Sequence, residues 1–243
     1  MDVYNGIYPE NQAGGFTRLD GTIQFFARVN ALLRPEMTVL DFGAGRGLIA
    51  EDKNRFRREL GILHHKVAKV IAVDVDDAVL ENRISDEQHV FDGTNLPIAD
   101  RSVDLIVADH VLEHVGEPQA TAAEIDRVLK PGGWFCARTP YSYSMLASVT
   151  RLIPNRSHAN LVKRVQPGGR ESKDVFPTRY RLNSFRALKK YFPKAKWDHH
   201  SYTWTPEPGY HFGSPTLVRL LRAVQYAKAP VGGEVLLVFL RKK

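Results

Sequence analysis

The fold is decided by the stretch Val39-Leu40-Asp41-Phe42-Gly43-Ala44-Gly45-Arg46-Gly47, near the start of a chain of 243 residues. The first four residues form an apolar strand that contains one acid, and glycine then stands at every second position. Glycines that follow a buried strand let the backbone turn sharply and approach a ligand where a side chain would collide. A helix directly after the loop would point its free N–H groups at the same ligand. The stretch therefore predicts a loop that binds a small-molecule cofactor.

Two features of this loop indicate the class of cofactor. A dinucleotide fingerprint requires G-x-G-x-x-G, but the third glycine position is occupied here by Leu48. The Asp41 carboxylate would also repel a pyrophosphate, whereas it would attract a cofactor that carries an ammonium group and a sulfonium centre. Both features argue against a nicotinamide cofactor, although a tight turn that binds nothing would also need its glycines.

Three further strands are predicted to bring polar groups to the same place. Lys69–Asp74 is an apolar run that ends in an acid, at the position that binds ribose hydroxyls in doubly wound folds. Residues 89–93 predict a short third strand that ends in Asp92 and Gly93, and residues 102–109 predict a fourth. Each of these strands would present its last residues at one edge of the sheet, and Asp74 is the predicted ribose ligand.

The order of these motifs is similar to that of a known family. The segments VLDFGAGRG, VIAVDVD, FDGTNLPIADRSVDLIVADHVLEHV and VLKPGGWFCART resemble the class I S-adenosylmethionine-dependent methyltransferases, in particular the broad small-molecule group with an LEH element after the fourth strand. Four ordered motifs between Val39 and Thr139 are far more specific than one glycine loop. The resemblance implies an α/β, Rossmann-like, doubly wound fold with a mostly parallel seven-stranded sheet and helices on both faces.

The resemblance also implies a cofactor and the residues that bind it. The cofactor would be S-adenosyl-L-methionine, and the product left after transfer would be S-adenosyl-L-homocysteine. The implied contacts are Asp41, Gly43, Gly45 and Gly47 for the methionine part, Asp74 for the ribose, Asp92 and Gly93 for the adenine, and Asp109 and His110 near the methyl group, with Ala44 and Val75 as further cofactor-binding residues.

Length and composition agree with one domain that carries additions. A hydrophobic content of 43% can supply a sizeable core. No apolar run approaches the ~20 residues that span a membrane, and the N-terminus lacks a signal-peptide layout, so the expected location is cytoplasmic. The predicted parts of this single domain, residues 1–243, are an N-terminal helical lid (1–35), a cofactor-binding core (36–140), a basic cap insertion after the fifth strand that binds the acceptor (141–181), and the C-terminal part of the sheet (182–243).

The charge of the chain is divided unevenly. Residues 1–140 contain 15 Lys and Arg against 22 Asp and Glu, whereas residues 141–243 contain 19 against 5. The net charges are therefore −7 and +14. The basic half lies outside the shared motifs, which favours an anionic acceptor such as a phosphorylated or nucleotide-linked sugar or an acidic glycan, or contact with an anionic membrane surface or RNA. A solvated basic surface without a partner would have the same composition.

Three histidines are candidates for a general base. A sulfonium methyl group is already electrophilic, so the protein mainly aligns the nucleophile, but a hydroxyl acceptor must also lose a proton. His110 and His114 follow the fourth strand and His158 lies in the predicted cap, although each could instead be structural or shield the cofactor. The pattern H-x-x-E-H also occurs in zinc peptidases, where both histidines lie on one helix. Here the first histidine adjoins a strand, so no metal site is predicted.

Several functions remain open at this point. The sequence favours O-methylation of a small-molecule or glycan-type acceptor, which would be anionic or lipid-linked. N-methylation of RNA or protein is an alternative that the basic half permits, but no recognisable RNA-binding module supports it. A third interpretation is a non-catalytic subunit that retains the cofactor pocket. A nicotinamide oxidoreductase is disfavoured by the glycine spacing.

Overall fold

The computed structural model describes residues 3–144, 177–209, 211–228 and 232–243. Regular structure alternates between strands and helices, as expected for a parallel sheet with crossover helices. Short 3₁₀ turns cover Val3–Gly6, Pro9–Gln12, Leu48–Glu51 and Asp77–Glu81. The helices and strands are α1 (Gly21–Leu32), β1 (Thr38–Phe42), α2 (Arg55–Gly61), β2 (Lys69–Asp74), β3 (Glu87–Val90), β4 (Val103–Asp109), α3 (Pro118–Val128), β5 (Leu129–Pro140), α4 (Phe185–Tyr191), β6 (Trp197–His199), β7 (Tyr202–Trp204), α5 (Pro215–Lys228) and β8 (Val235–Lys242).

The strands form one sheet in the order β3-β2-β1-β4-β5-β8-β6, with β7 also paired to β8. The first five strands in this order are parallel, and β8 is antiparallel to β5, β6 and β7. The chain crosses the sheet outward from β1 in both directions, which confirms the predicted doubly wound, mostly parallel fold.

The last position of the sheet is divided between two strands. The described residues form eight strands where seven were expected, because β6 and β7 lie end to end along β8. Both keep one register: Trp197 is opposite Lys242, and Trp204 is opposite Val235. Between them the backbone N–H of His200 still donates to the carbonyl of Phe239 (2.9 Å), but the Ser201 hydroxyl accepts from the backbone N–H of Phe239 (3.0 Å) in place of a backbone carbonyl. A side-chain hydrogen bond therefore separates β6 from β7.

Apolar side chains cover both faces of the sheet. Leu40 and Val39 are neighbours on β1 and are fully buried on opposite faces. The Leu40 face packs against α3 and α4, and the Val39 face packs against α1. Consecutive side chains of a strand point to opposite faces of the sheet. A strand whose consecutive residues are both buried must therefore be covered on both faces, here by helices. This arrangement confirms the predicted helices on both faces.

Two sequence-based element boundaries were wrong. No α-helix follows the glycine loop directly: Gly47 (φ +78°) leads into the 3₁₀ turn Leu48–Glu51, and α2 begins only at Arg55. The reason is local, since the side chain of Asn54 accepts a hydrogen bond from the backbone N–H of Arg57 (3.1 Å) and caps α2 there. The third strand ends at Val90, so Asp92 lies in the following loop.

The N-terminal segment packs beside the C-terminal part of the sheet. Tyr4 donates a hydrogen bond to the carbonyl of Pro208 (3.0 Å), and the indole of Trp204 donates to the carbonyl of Leu19 (3.0 Å). Tyr8 is fully buried. These contacts fix the start of α1 against the sheet, whereas the predicted lid role of residues 1–35 stays a prediction. Among the residues that the structure describes, no helix is long and apolar enough to cross a membrane.

Asp20 caps α1 and also ties it to α2. Its carboxylate accepts from the backbone N–H groups of Thr22 and Ile23 (both 2.9 Å) and pairs with Arg57 (3.0 Å). We expect Asp20→Ala to lower the free energy of unfolding by about 1–3 kcal/mol, because both the cap and the ion pair are lost. Asp20→Asn keeps a hydrogen-bond acceptor at the cap and should lower the free energy of unfolding by less. Urea unfolding of the two variants checks this, and equal losses would show that the cap contributes nothing.

Candidate functional site

A cavity of about 790 Å³ opens at the carboxyl edge of the sheet. Its floor is the loop after β1, and its walls come from the ends of β2 and β4 and from the start of α1. In doubly wound sheets ligands bind at this edge, where the direction of winding reverses. The predicted residues that line the cavity are Asp41, Gly43, Ala44, Gly45, Gly47, Asp74, Val75, Gly93, Asp109, His110 and His114.

The glycine loop lies against the loop that follows β4. Gly43 has φ +75°, and a Cβ atom there would lie 2.3 Å from Cγ2 of Val111. The backbone N–H groups of Gly43 and Ala44 both donate to the carbonyl of Val73, at 2.8 and 3.1 Å. Any side chain at position 43 would therefore both strain the backbone and displace Val111. The sequence analysis expected glycine here so that the backbone could approach a ligand. In the structure, Gly43 already lets the loop approach Val111 of the same chain.

Asp74 is held firmly at the end of β2. Its Oδ2 atom accepts from the backbone N–H of Gly45 (2.8 Å), and its Oδ1 atom accepts from the backbone N–H of Asp76 (3.1 Å). Gly45 is also bound from the other side, since its carbonyl accepts from the Asn82 side chain (3.1 Å). Each carboxylate oxygen can accept a second hydrogen bond, so Asp74 can still bind a hydroxyl group in the cavity.

Asp41 is the unbalanced charge of the site. It lines the cavity at the end of β1, and no described residue donates a hydrogen bond to its carboxylate. Burial raises the pKa of Asp41 to about 7, with further contributions from the negative charges of Asp109 and Asp74. A cation placed beside this carboxylate would favour its charged form and so lower the pKa of Asp41 again.

Asp109 is neutralised by an arginine that the sequence analysis did not identify. Arg138, opposite Asp109 on β5, binds both oxygens of its carboxylate at 2.6 and 2.7 Å and also donates to the hydroxyl of Thr22 (2.7 Å). Burial lowers the pKa of Arg138, but the charge and hydrogen bonds of Asp109 outweigh it and raise the value overall. The sequence did contain a signal for this pair: Arg138 is a charged residue at the end of the apolar run of β5, and the neighbouring strand β4 ends in Asp109.

His110 stands at the turn out of β4 with φ +59°. Its backbone N–H donates to the carbonyl of Arg138 (2.8 Å), and its Nδ1 atom lies 3.2 Å from Oε1 of Glu113. The side chain lines the cavity, and its Nε2 atom has no hydrogen-bond partner among the described residues. His110 therefore has one ring nitrogen bound to an acid and the other available to a ligand.

Glu113 is a buried acid whose role the sequence analysis did not predict. Besides His110, its carboxylate accepts from the hydroxyl of Thr139 (2.7 Å), which in turn accepts from the side-chain amide of Asn183. Burial raises the pKa of Glu113, but the hydrogen bond and charge of His110 and the hydrogen bond from Thr139 outweigh it and lower the value overall. Its place in the LEH element, three positions after His110, was the available signal, but Thr139 and Asn183 lie on distant segments.

The remaining candidates are placed differently. His114 lines the cavity and its Nδ1 atom lies 3.2 Å from the carbonyl of Pro177. The carboxylate of Asp92 is turned to its own loop, where it accepts from the backbone N–H groups of Thr94 and Asn95 (2.8 and 2.7 Å), and Asp92 is not a lining residue. His158 and most of the predicted cap, residues 145–176, lie outside the described residues.

The described residues contain no group of three or more histidine, cysteine, aspartate or glutamate side chains that could hold a metal ion. The H-x-x-E-H pattern lies wholly before α3, which begins at Pro118, so its two histidines do not share a helix. A helical zinc motif requires both imidazoles on one helix face.

Comparison with known proteins agrees with this geometry. The family model described as a methyltransferase domain matches residues 40–137. A malonyl-acyl-carrier-protein O-methyltransferase of Coxiella burnetii is 36% identical over 44% of this chain and 33% of its own length. A dimethylglycine N-methyltransferase of Parasynechococcus marenigrum is 29% identical over 57% of this chain and 50% of its own length. The chain thus spans half or less of these two relatives.

The solved structures share the fold over nearly the whole chain. An S-adenosylmethionine-dependent methyltransferase from Mesorhizobium loti has a TM-score of 0.54 at 17% identity, and the match covers 92% of this chain and 99% of that one. At this level of identity the likeness concerns the fold alone. The matched region contains the strands that carry the cavity.

The raised pKa of Asp41 predicts a cost in stability. The unfolded carboxyl ionises near its ordinary value of 3.8 and the folded one at about 7, so this residue makes the fold less stable as the pH rises through that interval. We expect Asp41→Asn to raise the free energy of unfolding of the ligand-free protein by up to ~4 kcal/mol at pH 8, and to have little effect at pH 4. Urea unfolding at both pH values measures this, and an equal difference at the two would contradict it.

The fold, the order of the strand-end acids, the glycine loop and the matched domain all lead to one assignment. Residues 40–137 match a methyltransferase domain, and the chain has the fold of the class I S-adenosylmethionine-dependent methyltransferases, whose cofactor is S-adenosylmethionine.

Proposed function

We propose that this protein transfers the methyl group of S-adenosylmethionine to a hydroxyl oxygen of an anionic small-molecule or glycan-type acceptor. The observation that carries the proposal is the position of His110 in the cavity wall. One ring nitrogen is bound to a buried carboxylate and the other has no partner among the described residues, and the same cavity is lined by the acids Asp41 and Asp74. This arrangement suits a proton acceptor beside a cofactor site.

The cavity suits the cofactor in charge and in shape. When bound, the cofactor supplies an electrophilic methyl group on a positively charged sulfur. The Asp41 carboxylate lies in the cavity without a hydrogen-bond donor from the described residues, and would bind the ammonium group of the methionine part. The ordered carboxylate of Asp74 would bind ribose hydroxyls, and Gly93 and Val75 would flank the adenine.

Of the two candidates that the structure describes, His110 is the better placed to act as a general base. A hydroxyl group becomes a better nucleophile as its proton is taken up, and an imidazole does this near neutral pH. The negative charge of Glu113 would stabilise the imidazolium that forms, whereas the Nδ1 atom of His114 lies beside the backbone carbonyl of Pro177. His158 stays a candidate outside the described residues.

Arg179 supports an anionic acceptor. It lines the cavity and is exposed, and the described segments place no carboxylate within salt-bridge distance of its guanidinium group. Arg138 also lines the cavity, but Asp109 already neutralises it. An unpaired arginine at the mouth of a cavity binds carboxylate or phosphate groups well, because its planar fork matches their oxygen atoms.

N-methylation is the second candidate. It is favoured by the likeness to a dimethylglycine N-methyltransferase, whereas the likeness to a malonyl-acyl-carrier-protein O-methyltransferase favours oxygen. A neutral amine nucleophile requires no base at the moment of transfer, so dependence on His110 separates the two reactions. In the test below, label in the RNA or protein fraction would indicate those acceptors, and no label in any fraction would indicate a protein that only binds the cofactor.

The first experiment traces a labelled methyl group. The purified protein is incubated with methyl-labelled S-adenosylmethionine and a cell extract divided into small-molecule, glycan and lipid-linked, RNA and protein fractions. We expect label in a small-molecule or glycan fraction, in a bond to oxygen, and we expect His110→Ala to slow transfer at least about 100-fold while S-adenosylhomocysteine binding changes less than about twofold. Label in RNA or protein would overturn the acceptor class, and unchanged transfer by His110→Ala would overturn the base.

The charge of the acceptor is tested at Arg179. We expect Arg179→Gln to raise the acceptor concentration needed for half-maximal transfer by about tenfold, because one charge-assisted contact is lost, and to leave S-adenosylhomocysteine binding unchanged. Arg186→Gln on α4 removes the same charge from an exposed position that does not line the cavity, and serves as the matched control. Equal effects of the two substitutions would show that only the overall charge matters.

A further inference from the structure

A buried carboxylate lies behind His110, on the side away from its free ring nitrogen. Glu113 is only 5% exposed, and both of its oxygen atoms have partners. Oε1 lies 3.2 Å from Nδ1 of His110, and Oε2 accepts from the hydroxyl of Thr139 (2.7 Å). Thr139 and Asn183 are fully buried beside it. Three buried polar side chains therefore form a chain of hydrogen bonds that ends at the exposed ring of His110.

The direction of each hydrogen bond in this chain is fixed by chemistry. The side-chain amide nitrogen of Asn183 donates to the carbonyl of Pro140 (3.0 Å), which can only accept, so the orientation of that amide is set. The same nitrogen donates to the hydroxyl of Thr139. The single proton of that hydroxyl then goes to Glu113. Because an ionised carboxylate only accepts, Nδ1 of His110 must carry a proton.

We propose that Glu113 is a positioning residue that holds His110 in the tautomer with its proton on Nδ1, which leaves Nε2 free to accept a proton from the acceptor. This inference rests on the proposed function for its catalytic meaning, but the tautomer itself is a property of the resting protein. In neutral imidazole the partner of one nitrogen decides the state of the other.

Other charged groups near His110 do not compete for Nδ1. Asp109, the preceding residue on β4, has both carboxylate oxygens bound by Arg138 from β5. Arg138 contacts His110 through its backbone carbonyl, which accepts the backbone N–H of His110. His114 is directed to the carbonyl of Pro177. Glu113 is thus the carboxylate that the described residues offer to the His110 ring.

The backbone of Glu113 adds a second positioning effect. Its carbonyl accepts the backbone N–H groups of both Arg179 (2.6 Å) and Tyr180 (3.1 Å). The residue that orients the base therefore also anchors the segment that carries the proposed anion-binding arginine. Both His110 and Arg179 line the cavity, and Glu113 contacts the first through its side chain and the second through its backbone carbonyl.

A pair of substitutions tests the tautomer without relying on loss of structure. In Glu113→Gln, the proton of Thr139 still needs an acceptor, so the new amide must present its oxygen to Thr139 and its NH₂ group to His110. Nδ1 would then have to accept, and the ring proton would move to Nε2. Adding Thr139→Val removes that demand, and the amide can turn its oxygen back to His110. The double variant should therefore repair the single one.

The measurement is ¹⁵N NMR of the full chain labelled on histidine, at alkaline pH, with and without S-adenosylhomocysteine. The His110 signals are assigned by their absence in His110→Ala. We expect Nδ1–H in the wild type, Nε2–H in Glu113→Gln, and Nδ1–H again in the double variant. The same tautomer in the wild type and in Glu113→Gln would overturn the proposal, as would a double variant that resembles Glu113→Gln.

The rate of labelled methyl transfer to the acceptor fraction gives the second readout. We expect Glu113→Gln to lower it at least about 100-fold with S-adenosylhomocysteine binding changed less than about twofold, and the double variant to recover at least about tenfold. If Glu113 had only a structural role, adding Thr139→Val would lower the rate of methyl transfer further. If the tautomers change as expected but His110→Ala transfers methyl groups normally, the proposed base fails while the tautomer assignment stands.

Discussion

Three carboxylates meet at one edge of the sheet, and the rest of the site is arranged around their repulsion. Asp74 and Asp109 end their strands and Asp41 is the second-last residue of the parallel strand between them, so the topology itself brings the three together. Asp74 is balanced by backbone N–H groups and Asp109 by Arg138. Asp41 is left with no such compensation from the described residues, and its pKa rises accordingly. Asp41 is thus a carboxylate that lines the cavity and whose charge is balanced by no described residue.

Strand β5 serves both halves of the site because its side chains alternate between the two faces of the sheet. Arg138 turns toward α1, where it reaches Thr22, while the adjacent Thr139 turns toward Glu113. The first residue neutralises the edge where the cofactor would lie, and the second completes the hydrogen bonds behind His110. A change of register in β5 by one residue would exchange these two roles and destroy both.

The sequence predicts the parts of the site that are local in the chain. A strand, its terminal acid and the glycines after it are adjacent, which is why Asp41 and Asp74 could be assigned a position at the edge of the sheet. Arg138 could not be assigned, because Asp109 lies 29 positions away and meets it through strand pairing. Glu113 lies only three positions from His110, but its other partner, Thr139, lies 26 positions away on β5. The orientation of Asp92 was also beyond reach, since it depends on the backbone of its own turn.

The contact between Gly43 and Val111 joins two parts of the protein that the chain keeps far apart. One belongs to the loop that forms the floor of the cavity, the other to the loop that carries His110 and Glu113. With no free space between them, neither loop can change shape alone. A substitution that reshapes the floor of the cavity must therefore also be accommodated by the loop that carries His110, so the two loops act as one mechanical unit.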